Sequence, residues 1–197
     1  MLIEQTTIPD AALPVQGLKD HLRLGTGFND DAMQDGLMET YLRSAMAAIE
    51  GRIGKVLIAR QFLLTLQDWR GQSEQSLPVA PVSAVVSVTL RDAAGVGVLV
   101  AASRYRLVPD MHRPKLAAVG LLLPNVPVEG RIEVVFDAGF GAAWAQVPAD
   151  LAQAVLLLAA EYYQHRHDSG AVAGLPFAVQ ALIERWRTVR ILGGGAA

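Results

Sequence analysis

The residues of this chain that could bind a metal ion or transfer a proton lie near its carboxyl-terminal end. His165 and His167 flank Arg166, and Glu161 precedes His165 by four residues. On a helix, this spacing of four places a carboxylate and an imidazole on one face, where they could share a metal ion. His165 and His167 are two residues apart and point in different directions, and the sequence shows no third ligand. A polar helix end is the simpler interpretation, and neither a metal nor a cofactor is predicted.

The acidic group Asp30, Asp31 and Asp35 is the other candidate for binding a cation. It stands at the start of a predicted helix, where carboxylates cap free backbone N–H groups and interact favourably with the helix dipole. These two effects explain the group without a metal ion, so no metal site is predicted here either.

The sequence contains none of the common signatures of enzyme families. No glycine-rich segment continues into the Gly-Lys-Ser/Thr of a phosphate-binding loop, no serine stands in a Gly-x-Ser-x-Gly turn, and there is no cysteine. The prediction is therefore a non-enzymatic protein. The alternative that stays open is a small hydrolase or ligand-binding module with Glu161, His165 or Asp168 as acid or base.

The composition is typical of a globular protein that packs against other subunits. Hydrophobic residues make up 52% and charged residues 18% of the 197 residues, without the run of ~20 apolar residues that a membrane span requires. Residues 1–14 lack a secretory signal, so assembly in the bacterial cytoplasm, away from membranes, is expected. The formal net charge of −2 lacks the basic excess of tight DNA binders and disfavours a DNA-binding regulator.

Two helices are predicted first along the chain. Residues 13–24 have leucines on one side and charged residues on the other, and Gly25 ends this helix. A longer helix starts at Asn29 and ends between Gly51 and Gly54. Along it, apolar residues recur at nearly fourfold spacing and define the expected core-facing stripe: Met33, Leu37, Tyr41, Ala45, Ile49 and Ile53.

The middle of the chain is predicted to form short antiparallel strands. Apolar side chains recur at every second position in residues 60–69, 85–91, 104–108 and 131–137. Six prolines between residues 77 and 130 keep the strands short, and turns such as residues 92–95 favour antiparallel pairing. A small sheet or sandwich is therefore expected.

Two more helices are predicted at the end of the chain. The first starts at Pro148, ends near residues 168–170, and has Leu151, Val155, Leu158 and Tyr162 on its apolar stripe. The second spans residues 176–192. The chain is thus predicted to be one α+β domain, with residues 13–54 helical, 55–140 mainly β, 148–192 helical and 193–197 a flexible tail.

Several short segments follow one another in a characteristic order along nearly the whole chain. They are Leu18-Lys-Asp-His-Leu-Arg-Leu24, Glu50-Gly-Arg-Ile-Gly-Lys-Val-Leu57, Leu77-Pro-Val-Ala-Pro-Val82, Tyr105-Arg-Leu107, Asp137-Ala-Gly-Phe-Gly141, Val147-Pro-Ala-Asp-Leu151 and Glu161-Tyr-Tyr-Gln-His-Arg166. In this order they resemble the phage head-to-tail connector family, the adaptor proteins of long-tailed phages and related gene-transfer particles. The order is more specific than any single segment.

The resemblance implies a structural subunit at the head-tail junction of a phage or phage-like particle. It implies a ring, a dodecamer in this family, that docks beneath the portal protein ring and extends the DNA channel towards the tail. The implied partners are the portal, a tail-side stopper or tail-terminator protein, and duplex DNA that passes through the channel without specific binding.

The predicted last helix is the candidate portal contact. It combines large apolar residues with arginines, and arginine and tryptophan are enriched where an interface carries its energy. The candidate contact residues are Arg185, Trp186, Arg187, Arg190 and Ile191. In the competing interpretation, Trp186 packs on Val155 and Leu158 of the preceding helix, and the arginines only complement the helix dipole.

Overall fold

The computed structural model describes residues 1–23, 31–166 and 174–187. It has the predicted α+β class, with helices on either side of a central β region. The helices are α1 (Val15–His21), α2 (Asp31–Ile53), α3 (Ala149–Gln164) and α4 (Phe177–Ile183). The strands are β1 (Leu2–Glu4), β2 (Arg60–Leu66), β3 (Glu74–Ser76), β4 (Val82–Arg91), β5 (Gly97–Leu99), β6 (Tyr105–Val108), β7 (Lys115–Ala118) and β8 (Arg131–Ala138).

The strands form two antiparallel sheets, one in the order β1-β2-β8-β4-β5 and one in the order β3-β7-β6. In β8, Ile132, Val134 and Phe136 are buried while the side chains between them are partly exposed, which is the predicted alternation. These residues share one core with Leu116 of the smaller sheet. The sequence predicted β2, β4, β6 and β8 but not the other four strands. Strands β1, β3 and β5 have only three residues, too few to show an alternating pattern, and β7 (Lys115–Ala118) does not alternate.

Helix α2 is present as predicted, but its core-facing stripe differs. Leu37 is 41% exposed, and Tyr41 is half-buried with its ring edge-on to Tyr163. A strict spacing of four turns ~40° too far at each step, so the predicted stripe rotates away from the core. Met33 belongs to the part of α2 whose side chains are not described. The buried residues follow the 3.6-residue period: Met38, Leu42, Ala45, Met46, Ile49 and Ile53.

The C-terminal helices are shorter than predicted. Helix α3 ends at Gln164, and residues 167–173 lie outside the described part of the chain. The predicted helix over residues 176–192 is wrong in length, because α4 gives way to a 3-10 turn, Glu184–Trp186, and Arg187 has an extended backbone (φ −67°, ψ 135°) that cannot continue a helix. The stripe of α3 is confirmed, since its first three members are buried and its last is half-buried: Leu151, Val155, Leu158 and Tyr162.

The segment between α2 and β2 joins a helical core to the β core. Val56 is buried in the β core, whereas Leu57 is buried in the helical core. Beside them, Arg60 donates hydrogen bonds to both oxygens of Glu50 at 3.0 and 2.6 Å and pairs with Glu4 at 2.9 Å. Burial opposes the charge of Arg60, but these hydrogen bonds and carboxylates raise its pKa overall. The charged network therefore fixes the end of α2 to β1 and β2.

The helices lie at one end of the larger sheet. Helix α2 leads into the start of β2 and the end of β8 leads into α3, and at this end Arg60 and Val82 both pair with Ala138. At the opposite end, Leu66 of β2 and Leu90 of β4 both pair with Ile132, near the start of β8. We call this opposite end the distal end.

Candidate assembly surfaces

The C-terminal segment, residues 184–187, is attached to the start of α3. Trp186 Nε1 donates a hydrogen bond to Asp150 Oδ2 at 2.7 Å, and its ring lies edge-on to Phe140 with the centroids 5.4 Å apart. Arg185 Nε binds the same Asp150 oxygen at 2.7 Å. Asp150 lies in the first turn of α3, where the helix dipole favours a negative charge. One carboxylate thus holds both the indole and the guanidinium.

Two arginines of this segment remain at the surface although Trp186 is half-buried. Trp186 packs against the helical core, to which Val155 and Leu158 belong. The side chain of Arg185 is 69% exposed, and its guanidinium lies 4.8 Å from the centroid of the Trp186 ring. Arg187 binds the carboxylate of Glu184 at 3.0 Å. The other two candidate portal contacts, Arg190 and Ile191, lie outside the described residues.

The Glu161–His165 pair forms a local contact at the end of α3. His165 Nδ1 lies 3.4 Å from Glu161 Oε1 and 3.1 Å from the Glu161 carbonyl oxygen, and both side chains are at least one-third exposed. His167 and Asp168 lie outside the described residues. The structure therefore shows the contact between the Glu161 and His165 side chains that their spacing of four predicted. The contact lies on the surface, at the end of a single helix.

Asp35 forms an ion pair with a lysine of the neighbouring helix. Its Oδ1 lies 2.5 Å from Lys19 Nζ, which joins α2 to α1. Asp30 lies outside the described residues, and the side chain of Asp31 is not described. Among the residues that the structure does describe, no three His, Cys, Asp or Glu side chains are grouped so that they could hold a metal ion.

The distal end exposes large apolar side chains that sequence analysis did not single out. Leu121 is 91% exposed and Val128 is 89% exposed. Both stand on the segment 119–130, which we call the distal loop. It is tied down by hydrogen bonds from Leu123 N to the Gln72 carbonyl and from Trp69 Nε1 to the Pro124 carbonyl, each at 2.8 Å. The signal in the sequence was the apolar run at residues 119–123, which has neither helical nor strand periodicity.

Charged side chains lie beside the distal loop. Glu133 accepts hydrogen bonds from Arg91 at 2.7 Å and from Arg131 at 3.0 Å. Partial burial would raise the pKa of Glu133, but the two arginines lower it overall. A cleft of about 550 Å³ opens next to Arg131, between the end of β2 and the start of β8. The distal end thus combines an apolar loop with a fixed ion-pair group.

Lys55 is a buried cation at the junction between the helical core and the β core. It is 1% exposed, and its Nζ lies 3.2 Å from His112 Nδ1 in the loop between β6 and β7. Burial lowers the pKa of Lys55, and the negative charge of Asp110 opposes this shift only in part. The contact connects this loop to the end of α2.

Comparison with protein-family models and with curated proteins gives no match. Solved structures do match, each over 98% of this chain and 98% of the matched chain. A chain in the neck of an empty gene transfer agent (GTA) particle, computed with C6 symmetry, is 57% identical with a TM-score of 0.90. A chain in the virion of a native GTA particle is 57% identical with a TM-score of 0.86. A chain in the neck of a native GTA particle, computed with C12 symmetry, is 54% identical with a TM-score of 0.85.

These likenesses extend over nearly the whole chain and include both cores. None of the helices in residues 1–23, 31–166 and 174–187 has the length and hydropathy of a transmembrane span. The protein is a structural component of the neck, at the head-tail junction of a phage-like particle. As the order of its sequence segments predicted, the chain belongs to the phage head-to-tail connector family, as represented in the necks of gene transfer agent particles.

Proposed function

We propose that this chain is the adaptor subunit that forms a ring beneath the portal, extends the DNA channel and joins the head to the tail. The observation that carries the proposal is the identity of 54–57% to neck chains over 98% of the length. The C6 and C12 symmetry of the matched necks supports a closed ring of copies. The function rests on complementary surfaces rather than on catalysis.

The two ends of the subunit suit two different partners. The helical end presents Arg185 and Arg187, and we assign it to the portal. The distal end presents the apolar side chains of the distal loop, such as Leu121 and Val128, and we assign it to the tail-side stopper or tail-terminator protein. Exposed apolar patches of this kind are typical of protein–protein contact sites. An adaptor needs two such surfaces at opposite ends because it joins two assemblies.

The proposed portal contact comprises Arg185, Trp186 and Arg187, continuing to Arg190 and Ile191. Trp186 orders this segment through Asp150, so Arg185 is presented on a prepared surface and loses little freedom when it binds. Arginine forms planar, bidentate hydrogen bonds with carboxylates, so an acidic groove on the portal is the expected counterpart.

We propose that duplex DNA passes through the ring without being bound specifically. With a formal net charge of −2, the chain releases few counterions from DNA and gains little affinity from phosphate contacts. Weak binding is consistent with a conduit, because a tightly held duplex would not move through it.

The proposal is tested by mixing the purified chain with the portal ring of its own particle and imaging the product by electron microscopy. The wild type should add a ring at one end of the portal. Arg185→Glu/Arg187→Glu should reduce co-sedimentation with the portal at least tenfold, because two charges are reversed at the contact.

The matched control is Arg104→Glu/Arg106→Glu, which makes the same charge change on the exposed surface beside the smaller sheet. It should co-sediment like the wild type. If both variants lose portal co-sedimentation equally, the loss comes from the change in net charge, and the assigned contact is refuted. Wild-type chain that adds no ring to the portal would refute the adaptor function itself.

A further inference from the structure

Strand β5 is an edge strand without the usual protection against pairing. Its side chains are all exposed, with Val98 at 65% and Leu99 at 68%, and the adjoining Val96 is also exposed. Natural sheet edges are normally blocked by lysine, proline or a covering segment, since a free edge presents unpaired backbone N–H and C=O groups. Residues 96–99 contain neither lysine nor proline. This edge therefore has the properties of a surface that another strand covers.

Strand β1 forms the other edge of the same sheet and is also exposed. Leu2 and Ile3 are exposed, and β1 pairs only with β2 among the described strands. Three strands separate the two edges, which places them ~19 Å apart on opposite sides of the subunit. A cyclic ring is built from one repeated contact between two different surfaces on opposite sides of each subunit. The two edges satisfy that requirement.

We propose that β5 of one subunit pairs with β1 of the next, so that the five-stranded sheets join side by side around the ring. This inference rests on the proposed ring and adds the surface through which neighbouring copies bind. All neighbouring strands in the sheet are antiparallel, so the first and fifth strands run in the same direction. The junction between subunits is therefore a parallel pair.

The side chains of the two edges match in a parallel register. Leu2 pairs with Leu64, which belongs to the buried face of the sheet, and Val98 pairs with Leu90, which packs on the same core. Ile3 and Leu99 point to the opposite face. Aligning Leu2 with Val98 therefore aligns Ile3 with Leu99, and each face gains one apolar contact across the junction.

The same register fixes how neighbouring sheets are staggered. Leu2 lies in the row of Leu64 and Val134, whereas Val98 lies in the row of Leu90 and Ile132, two residues nearer the start of β8. Each junction then shifts the sheet by two residues, or ~7 Å, over five strands. This corresponds to strands that lean by roughly 15° across each subunit. Strands that close into a barrel are likewise tilted and staggered.

Disulfide cross-linking tests the junction directly, because the chain contains no cysteine. In the Leu2→Cys/Val98→Cys variant, neighbouring strands would place the two Cα atoms ~4.8 Å apart, within the disulfide range. Oxidation after assembly on the portal should give a ladder of covalent oligomers on a non-reducing gel. Val98→Cys alone and the control Leu2→Cys/Arg106→Cys should stay monomeric. A dimer of Val98→Cys alone would indicate that two β5 edges meet, and it would overturn the proposal.

Charge exchange gives a second, independent test. Ile3→Glu and Leu99→Lys should each lower the yield of rings at least tenfold, whereas the variant carrying both should recover to within about threefold of the wild type. Every junction in the double variant then contains one Glu and one Lys, and this holds only for head-to-tail contact. Thermal unfolding must show that the single variants remain folded. Double variants as poor as the single ones would refute the pairing.

The outcomes separate this inference from the proposed function. The chain could form a cross-linked ladder at high protein concentration and yet not bind the portal. That result would refute the portal function and support the pairing of β5 with β1. Portal binding without a ladder would refute the joined sheets and leave the portal function standing. Absence of both would refute both.

Discussion

Asp150 is the residue whose removal should reveal how strongly the C-terminal segment is held. In Asp150→Ala, Trp186 Nε1 loses its carboxylate acceptor, Arg185 loses its partner and the start of α3 loses a negative charge. A hydrogen bond to a charged group contributes ~1.5–3 kcal/mol, and a charge at a helix start contributes ~0.3–1 kcal/mol. The Arg185 pair adds under ~1 kcal/mol because the arginine is 69% exposed and screened.

The expected loss is therefore about 3 kcal/mol in the free energy of unfolding. For a chain of this size that corresponds to a fall in Tm of roughly 6–12 °C. Calorimetry and urea titration measure it. Arg185→Ala should cost under ~1 kcal/mol, and Asp150→Asn should fall between the two, because the amide oxygen still accepts the Trp186 hydrogen bond.

Two results would contradict this reasoning. If Asp150→Ala unfolds within ~0.5 kcal/mol of the wild type, the contacts of Trp186 do not hold the segment in solution. If Arg185→Ala costs as much as Asp150→Ala, the exposed ion pair and not the partly buried hydrogen bond carries the energy. In the expected case, Asp150→Ala should also weaken portal binding, since Arg185 would no longer be ordered.

Four further predictions concern pH, association and DNA. Burial lowers the pKa of Lys55 in the folded protein, so the unfolded state binds more protons at pH values between that lowered pKa and the usual lysine value of 10.5. The free energy of unfolding should therefore rise with pH in that window, and Lys55→Met should abolish the rise in urea titrations at several pH values. Because the arginines lower the pKa of Glu133, stability should fall below pH ~4.5, and Glu133→Gln should flatten this acid limb. Light scattering of the chain alone should show mostly monomer, and rings should appear only when the portal is added. Binding to duplex DNA should be weak and independent of sequence at physiological salt. Submicromolar, sequence-selective binding would contradict the proposal that the ring is only a conduit for DNA.

The parts of the fold that the sequence predicted are those with a long periodic signal. Helix α2 and strand β8 repeat their pattern over many residues, so competing local effects average out. Strand β1 was missed because its formation depends on pairing with β2, about 60 residues away, which no local pattern records. Strand β5 forms a local hairpin with β4, but its three residues are too few to show an alternating pattern. The end of the last helix was missed for a similar reason. Trp186 donates a hydrogen bond to Asp150, 36 residues away, from the 3-10 turn in which helix α4 ends. No local sequence pattern records this tertiary contact.

The site was harder to predict than the fold, because an assembly surface has no chemical signature in the sequence. Arg185 and Trp186 could be singled out by residue type, but only the structure shows that one carboxylate holds them both. Sequence analysis did not single out the apolar side chains of the distal loop, since hydrophobic composition does not distinguish a core from an interface.

The large exposed hydrophobic residues of the chain are not evenly distributed over its surface. Most of the large exposed ones fall in two places, the edges of the larger sheet and the distal loop: Met1, Leu2, Ile3, Val96, Val98, Leu99, Val119, Leu121, Leu122 and Val128. Scattered exposed hydrophobics are normal on any protein, but concentration at two edges and one end is not. In the proposed assembly, the two edges contact lateral neighbours and the distal end contacts an axial partner. Replacing edge residues should therefore impair ring closure and leave tail attachment of completed rings intact, whereas replacing distal-loop residues should do the reverse.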